Sequence, residues 1–303
     1  MSCATVLKRL DKGGVAMKRN STPVMILAGG LGTRLREETE YRPKPMVPIG
    51  GHPILWHIMK TYSYYGFYRF IICLGYKGTT IKNYLLNNRL DGVDFTINTK
   101  TGLITEHQIN NEEWEVTLVD TGQDAMTGSR VAQAARYVDG ERFMLTYGDG
   151  VADVNIEQLY QFHIAHKQAA TITGVNLVSR FGNLEVNGDT ITSFAEKNTI
   201  ETAWINGGFM VLEKRFLNYL STEPSCVLEQ EPFKRAADNG QLMMFKHHGF
   251  WQCMDTYREY QMLEELWKTS APWKVWEHDT NTFTPATKQT TPWQEITTNI
   301  EQS

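Results

Sequence analysis

Cysteine is scarce and dispersed in this chain. Cys3, Cys73, Cys226 and Cys253 are its four, and no two form a C-x-x-C pair. That excludes a zinc ribbon and a disulfide framework, and it suits a reducing compartment such as the cytoplasm. Long apolar runs are missing too: nothing approaches the about 20 residues of a membrane span, so no membrane segment is expected. Positive charge is not in excess. The formal net charge is −4 and the pI is near 6.1, which argues against a nucleic-acid coat, whereas a phosphate site needs only local positive charge. No internal repeat or low-complexity block is present, so solenoids and arrays are excluded. What remains is a chain of 303 residues, long enough to bury a sizeable core as one large α/β domain or two small ones.

The two ends differ from the middle. Residues 1–23 are polar and basic without an apolar core of a secretory signal, and Asp11 stands against a transit peptide. The segment reads as a flexible extension, or as an upstream start with Met17 as the working initiator. Residues 277–303 are rich in Thr, Gln and Asn with little periodicity, a composition expected of a loosely attached polar tail. Residues 24–276 are left as the folded domain.

Within that span, short apolar runs alternate with helical spacing. Val24–Ala28, Phe70–Leu74 and Arg142–Tyr147 are too short for helices and read as buried strands. Ile54–Tyr65, Thr79–Leu86, Ile156–Ala165 and Tyr257–Trp267 carry apolar residues three and four apart and read as helices. Asp153 is expected to cap the helix at Ile156. Val93–Ile97, Trp114–Val119 and Leu242–Phe245 are strand-like, and Trp204–Leu212 is expected to break at Gly207-Gly208. Asn187-Gly188, between Leu184-Glu185-Val186 and Thr190-Ile191, signals a hairpin. The alternation points to an α/β fold, a Rossmann-like single domain with a mostly parallel mixed sheet flanked by helices.

The most informative stretch follows the first strand. Val24–Ala28 runs into Gly29-Gly30-Leu31-Gly32-Thr33-Arg34, and Pro43-Lys44-Pro45 comes ten residues later. Glycines let backbone N–H groups approach a polyphosphate closely. An arginine after such a turn can grip phosphate oxygens bidentately. A lysine between two prolines is expected on a stiff, extended backbone that aims its ammonium. Two familiar glycine-loop readings fail. Walker A ends in Gly-Lys-Ser/Thr, but Gly32 is followed by Thr33-Arg34. The dinucleotide fingerprint needs a third Gly or Ala where Leu35 stands.

A strand followed by G-G-x-G-T-R-L and then P-K-P resembles the signature of the sugar-1-phosphate nucleotidylyltransferases. Further stretches extend the resemblance over about Val24 to Trp276: KPMVPIGGHPILWHIMK, LVDTGQDAMTGSRV, FMLTYGDGVAD, RFGNLEV, INGGFMVL, LEQEPF and HHGFWQCMDTYRE. They are most similar to the branch of that family that forms CDP-glucose. The resemblance implies transfer of a cytidylyl group from CTP to α-D-glucose 1-phosphate, with Mg²⁺ as cofactor and pyrophosphate leaving. It also suggests a homo-oligomer such as a hexamer. Another nucleotide (UTP or dTTP), another sugar, or a silent nucleotide-sensing subunit are the alternatives. One departure stands out: the family's Glu-Lys-Pro is Glu196-Lys197-Asn198 here.

The reaction needs charge neutralisation and in-line alignment of two anions, and no protein nucleophile. By resemblance Arg34 and Lys44 are the catalytic cations, Arg34 on the β- and γ-phosphates and Lys44 on the reacting ones. Lys197 takes the sugar phosphate, or else is a solvated lysine beside Glu196. Asp149 follows a buried strand between two glycines, where α/β sheets gather ligands; it suits Mg²⁺ or makes an ordinary Asp-Gly turn. Asp255 reads by itself as the N-cap of the closing helix, and by resemblance as the second metal ligand. The nucleotide pocket implied comprises Leu27, Ala28, Gly29, Gly30, Gly32, Thr33, Arg34, Thr121, Gly122, Gly128, Arg130 and Gly148. Thr121-Gly122 and Met126–Arg130 look like a reader of the base edge. Arg130, a fork of donors, matches cytosine O2 and N3, or else binds phosphate or an acidic neighbour. Tyr147, Asn206 and Gly207 are expected at the sugar. His247 and His248 find no third ligand at matching spacing and read as structural.

Overall fold

The three apolar runs read as buried strands form the middle of one sheet. In the computed structural model, residues 20–87, 94–107, 112–176, 183–187, 190–195 and 204–277 are described. The sheet has seven strands: β1 Val24–Ala28, β2 Arg69–Leu74, β3 Glu115–Asp120, β4 Arg142–Tyr147, β5 Ala170–Asn176, β6 Trp204–Glu213 and β7 Leu242–His247. Their spatial order is β7-β5-β6-β4-β1-β2-β3. β1 lies parallel between β2 and β4, with Val24 opposite both Phe70 and Met144. β3 continues parallel on β2, and β7 is parallel to β5, while β6 runs antiparallel to β4 and β5. The sheet is mixed and mostly parallel, as expected.

Successive side chains of a strand face opposite ways, so β1 feeds two cores. Val24, Ile26 and Ala28 pack with Ile72, Met144 and the helices α1 (Ile54–Tyr64), α2 (Gly78–Asn87), α4 (Ile156–His166) and α6 (Tyr257–Thr269). Met25 and Leu27 pack on the other face with Ile71, Cys73, Leu145 and the helices α3 (Thr127–Ala134) and α5 (Glu231–Asp238). Burying each such side chain contributes about 1.5–3 kcal/mol, and Thr146 is the one buried polar residue of β1, β2 and β4.

Several sequence expectations are corrected. Asn20 to Pro23 belong to the body: Asn20 N–H donates to Gly66 O at 2.9 Å, and Thr22 Oγ1 lies 2.9 Å from Tyr160 Oη. β6 runs through Gly207-Gly208 unbroken, because its ladder with β5 holds on both sides of the pair, Asn206 opposite Gly174 and Met210 opposite Ile172, and the irregularity between is absorbed as a register shift. The N-cap of α4 is Asn155, whose side chain accepts from Gln158 N–H at 2.9 Å; Asp153 faces His247 Nε2 at 3.0 Å instead. The strand expected from Val93 is seen from Phe95 to Ile97, pairing with Ile104–Glu106, and Val93 lies outside the described residues. The hairpin strands Asn183–Asn187 and Thr190–Ala195 pair antiparallel as expected; Gly188 between them lies outside the described residues, as do residues 1–19 and 278–303.

Beyond Lys44 the chain makes a two-stranded hairpin, Pro48–Ile49 with His52–Pro53, that leads into α1. The anchor of this corner is His57, fully buried on α1. Its Nε2–H donates to Ile49 O at 2.9 Å, and its Nδ1 accepts from Trp273 Nε1–H at 3.2 Å. Trp56, Trp267 and Trp276 close around the ring edge-on or tilted. Burial holds the imidazole neutral, with a pKa pulled down to about 4.

Candidate active site

β1 connects to β2 on one side while β4 returns on the other. That makes the carboxyl ends of β1 and β4 a switch point, where an open α/β sheet leaves a crevice. The chain leaving β1 supplies one wall. Gly32 takes φ +62°, a left-handed turn that costs a side-chain-bearing residue energy, and its carbonyl accepts from Leu35 N–H at 3.1 Å and Thr39 Oγ1 at 3.0 Å. A single helical turn, Arg36–Thr39, follows. Lys44 then opens a 3₁₀ turn over Lys44–Met46, where an extended backbone was expected. Pro43 before it is extended (φ −68°, ψ 150°), and Met46 N–H reaches back to Pro43 O at 2.8 Å. The lysine is aimed all the same, by a closed turn with both prolines buried beside it.

The opposite wall starts at β4. Gly148 N–H bonds Leu27 O at 2.9 Å, tying the ends of β4 and β1 together. Gly150–Ala152 then pairs antiparallel with Trp251–Cys253, and Met254 N–H donates to Asp149 O at 2.9 Å. This ribbon brings Asp149 and Asp255 side by side although 106 positions separate them (255 − 149). Asp255 is not the helix cap. Thr256 caps α6 in a capping box with Glu259, and the Asp255 carboxylate is left to the crevice.

Four charges therefore meet. Lys44 Nζ donates to Asp149 Oδ2 at 2.8 Å and also to Asp255 Oδ1. Arg34 Nη1 donates to the other Asp255 oxygen at 3.0 Å, from a side chain that is 77% exposed, against 11% for Lys44. Burial pulls the Lys44 pKa down, but the two carboxylates outweigh it and hold the ammonium above its ordinary value. Burial pushes Asp255 up, and hydrogen bonding and charge from Lys44, with Arg34 behind, bring it below the usual carboxylate range. Lys44 and Asp255 therefore both keep their charges at neutral pH. Burial and the nearby carboxylates push the Cys253 thiol up to about 12, so no thiolate nucleophile stands here.

The cleft so formed encloses about 330 Å³. Its lining holds Leu27, Ala28, Gly29, Gly30, Gly32, Thr33, Arg34, Lys44, Arg130, Tyr147, Gly148, Asp149 and Asp255, all of them expected site residues. Thr121, Gly122 and Gly128 are not in the lining. Thr121 is buried, donating to Leu74 O at 2.7 Å. Gly128 packs inside α3, where a Cβ would come within 2.7 Å of Cys226 Sγ.

Arg130 corrects the reading of the base edge. Its Nη1 donates to Leu74 O at 3.0 Å, Thr121 Oγ1 at 2.7 Å and Gly122 O at 2.8 Å. Its Nη2 donates to Gly29 O and Gln123 O, both at 3.1 Å. Five acceptors on the protein engage the four N–H groups of those two nitrogens, and the residue is only 4% exposed. The guanidinium clasps the glycine loop to the ends of β2 and β3 and has no donor left over at Nη1 or Nη2 for a cytosine edge. Gly29 has to be glycine here, since a Cβ would stand 2.2 Å from Arg130 Nη1.

Among the residues expected at the sugar, Tyr147 Oη donates to Glu229 Oε1 at 2.6 Å and accepts from Asn206 Nδ2–H at 3.0 Å. Gly207 O accepts from Trp251 Nε1–H at 2.7 Å. Asn206 is thus beside the cleft, joined to it through Tyr147, whereas Gly207 is not in the lining and is tied to Trp251. Lys197 lies outside the described residues. Sequence reasoning missed Ala125 in the lining and Glu229 behind it. Ala125 carried no signal; Glu229 stands in LEQEPF, one of the stretches that carry the resemblance, but no role is read for it there. Among the described residues no three of His, Cys, Asp and Glu gather as a metal site; Asp149 and Asp255 form a pair.

Comparison with known proteins places this fold in a family. The model of the nucleotidyl transferase family matches residues 23–256. A protein of Salmonella typhimurium named glucose-1-phosphate cytidylyltransferase is 50% identical over 255 residues, 84% of this chain and 99% of that protein. A probable glucose-1-phosphate cytidylyltransferase of Bacillus subtilis is 42% identical over 253 residues, 83% of this chain and 99% of that one. Among solved structures, HddC from Yersinia pseudotuberculosis shares the fold at a TM-score of 0.61 and 24% identity, over 81% of this chain and 99% of its own.

Proposed function

This chain belongs to the nucleotidyl transferase family, and we propose that its cleft transfers a cytidylyl group from CTP to α-D-glucose 1-phosphate, giving CDP-glucose and pyrophosphate. The observation that carries this reading is the meeting of Arg34, Lys44, Asp149 and Asp255 at the mouth of a glycine loop, in a chain half identical to a glucose-1-phosphate cytidylyltransferase along nearly all of that relative. The sugar phosphate oxygen arrives ionised and attacks the α-phosphorus; the P–O bond to the β-phosphate breaks, and pyrophosphate departs. No general base is required, and the chain's work is electrostatic. Lys44, fixed and mostly buried, neutralises charge at the reacting phosphate. Arg34, exposed on its turn, is free to leave Asp255 for the oxygens of the departing pyrophosphate.

Mg²⁺ is part of the proposal. Two carboxylates that converge on one point suit an ion that takes one or two protein carboxylates together with substrate phosphates. Two cations and two anions in the cleft sum to zero, so a triphosphate and a sugar phosphate bring negative charge that these four groups alone do not balance. Bound at Asp149 and Asp255, Mg²⁺ would supply that compensation and polarise the phosphate oxygens. A homo-oligomer in the cytoplasm completes the reading; among the described residues no helix is long and apolar enough to cross a membrane.

The test is pyrophosphate release from CTP, UTP, dTTP, ATP and GTP in turn, each with glucose 1-phosphate. CTP is expected to lead. A preference for UTP sinks the cytidylyl assignment and leaves the transferase standing. Treatment with EDTA should abolish turnover and added Mg²⁺ restore it; full activity in metal-free buffer removes the metal from the reading.

A further inference from the structure

Two backbone N–H groups fix the direction of every hydrogen bond around Glu229. At one end, Gly208 N–H donates to Asn206 Oδ1 at 2.9 Å. That settles the Asn206 amide with its nitrogen toward Tyr147, where Nδ2–H donates to Tyr147 Oη at 3.0 Å. The Tyr147 hydroxyl, accepting there, sends its own proton to Glu229 Oε1 at 2.6 Å. At the other end, Leu228 N–H donates to Thr127 Oγ1 at 3.0 Å, and Thr127 sends its proton to Glu229 Oε2 at 2.6 Å. Glu229 is the sink of both arms, because an ionised carboxylate only accepts. Tyr147 and Thr127 both line the cleft, one from the end of β4 and the other from the start of α3. Burial and the neighbouring Glu229 carboxylate raise the Tyr147 pKa, so the phenol stays protonated.

We infer that Glu229 is a positioning residue for the acceptor sugar: by fixing the Tyr147 proton it keeps the Tyr147 oxygen as the acceptor that, together with Gly208 N–H, holds the Asn206 amide with one N–H free to meet a sugar oxygen. Of the two hydrogens on Asn206 Nδ2 one goes to Tyr147, and the other has no partner among the described residues. With Glu229 gone, the Tyr147 hydroxyl is free to rotate its proton toward Asn206, and the amide is held at the Gly208 end alone, so its free N–H is no longer fixed in place. The ligand chemistry is that of a polyol phosphate whose hydroxyls accept from an amide. This deepens the proposed sugar-1-phosphate reading and rests on it.

The test is steady-state kinetics of the full chain with CTP and glucose 1-phosphate for Glu229→Ala, Glu229→Gln, Tyr147→Phe and the Glu229→Ala/Tyr147→Phe pair. Glu229→Ala should raise the KM for glucose 1-phosphate on the order of tenfold, with the KM for CTP changed less than about twofold. Glu229→Gln, whose amide oxygen can still accept from Tyr147 while its nitrogen faces Thr127, should recover part of the loss. The pair should cost no more than the worse single change, since both break one relay. Equal rises in both KM values, or additive losses, overturn the inference. Should the wild-type chain fail to turn over this substrate pair, the reaction assignment fails by itself. The relay is then read from the ¹⁵N–¹H signals of the Asn206 side chain, which must move alike in Glu229→Ala and Tyr147→Phe; unmoved signals refute it.

Discussion

His57 should make this protein acid-sensitive well above the range of its carboxylates. In the folded chain its Nε2–H is used by Ile49 O and its Nδ1 faces an N–H of Trp273, 3.2 Å away. A second proton would have to sit on Nδ1, donor against donor, inside a wall of indoles. The unfolded chain has no such objection and takes that proton near pH 6.5. With the folded pKa down at about 4, the sign follows: the folded state binds fewer protons, so this contribution is complete above about pH 6.5 and is lost as pH falls toward 4. Each pH unit in that window costs about 1.4 kcal/mol, which integrates to about 2 kcal/mol by pH 5 and about 3 by pH 4. The perturbation that isolates it is His57→Gln, whose amide can donate to Ile49 and accept from Trp273 without titrating. Urea unfolding of both proteins at pH 7.5, 6.5, 5.5 and 5.0 is the assay. The wild type should be the more stable at pH 7.5, and the gap should close by about 2 kcal/mol at pH 5. His163, also held low by burial, is present in both and cancels. Curves that stay parallel from pH 7.5 to 5 would refute the reasoning. Because His57 holds Ile49, five residues beyond Lys44, activity should decline in the same window.

Two further outcomes follow from the cleft. Arg130→Ala strips the clasp from five acceptors in the protein, four of them backbone carbonyls, so it should lower stability by about 3 kcal/mol and reduce kcat/KM for CTP and UTP in parallel. A loss confined to CTP would return Arg130 to the base edge. Lys44→Met leaves Asp149 and Asp255 facing each other without their shared cation and should cut kcat at least about 100-fold, while far-UV circular dichroism stays unchanged; a loss of KM alone would remove Lys44 from the reacting phosphate.

The centre of the sheet was legible because both of its faces are buried. Val24–Ala28 and Phe70–Leu74 need no alternation to be strands, only brevity and β-branched or bulky apolar side chains. The helix ends were legible as well where the right residue was weighed. Thr256 with Glu259 is a capping box in plain sequence, and Asn155 stands directly before the first apolar residue of α4; the neighbouring aspartates drew attention instead. What sequence hid was the strength of sheet neighbours. Gly207-Gly208 looks like a break until β5 pairs with β6 on either side of it, at Asn206 and at Met210. α3 was hidden for another reason: eight residues with an internal glycine and no side-chain cap carry almost no helical signal, and the helix exists because Val131 and Ala134 are buried against the sheet.

The site divides along the same line. Arg34, Lys44, Asp149 and Asp255 were found because each has an unusual local setting, a glycine turn, a proline pair, a strand end or a helix start, and the chemistry of phosphate needs such residues. What each does beyond its own neighbourhood depends on partners far along the chain. Arg130 offers donors in any reading of the sequence, yet which acceptors take them is decided by Gly29, 101 positions away, and Leu74, 56 away. A carbonyl carries no letter in a sequence, so a guanidinium buried among carbonyls and one waiting for a base look identical there. Glu229 shows the converse. Its exposed carboxylate looks like surface charge until Thr127 and Tyr147, 102 and 82 positions off, turn their protons to it. Local pattern thus picks out the four charges that the cleft brings together, because each stands in a rare local setting. The groups that hold those residues in place are ordinary in type, and only the fold distinguishes them.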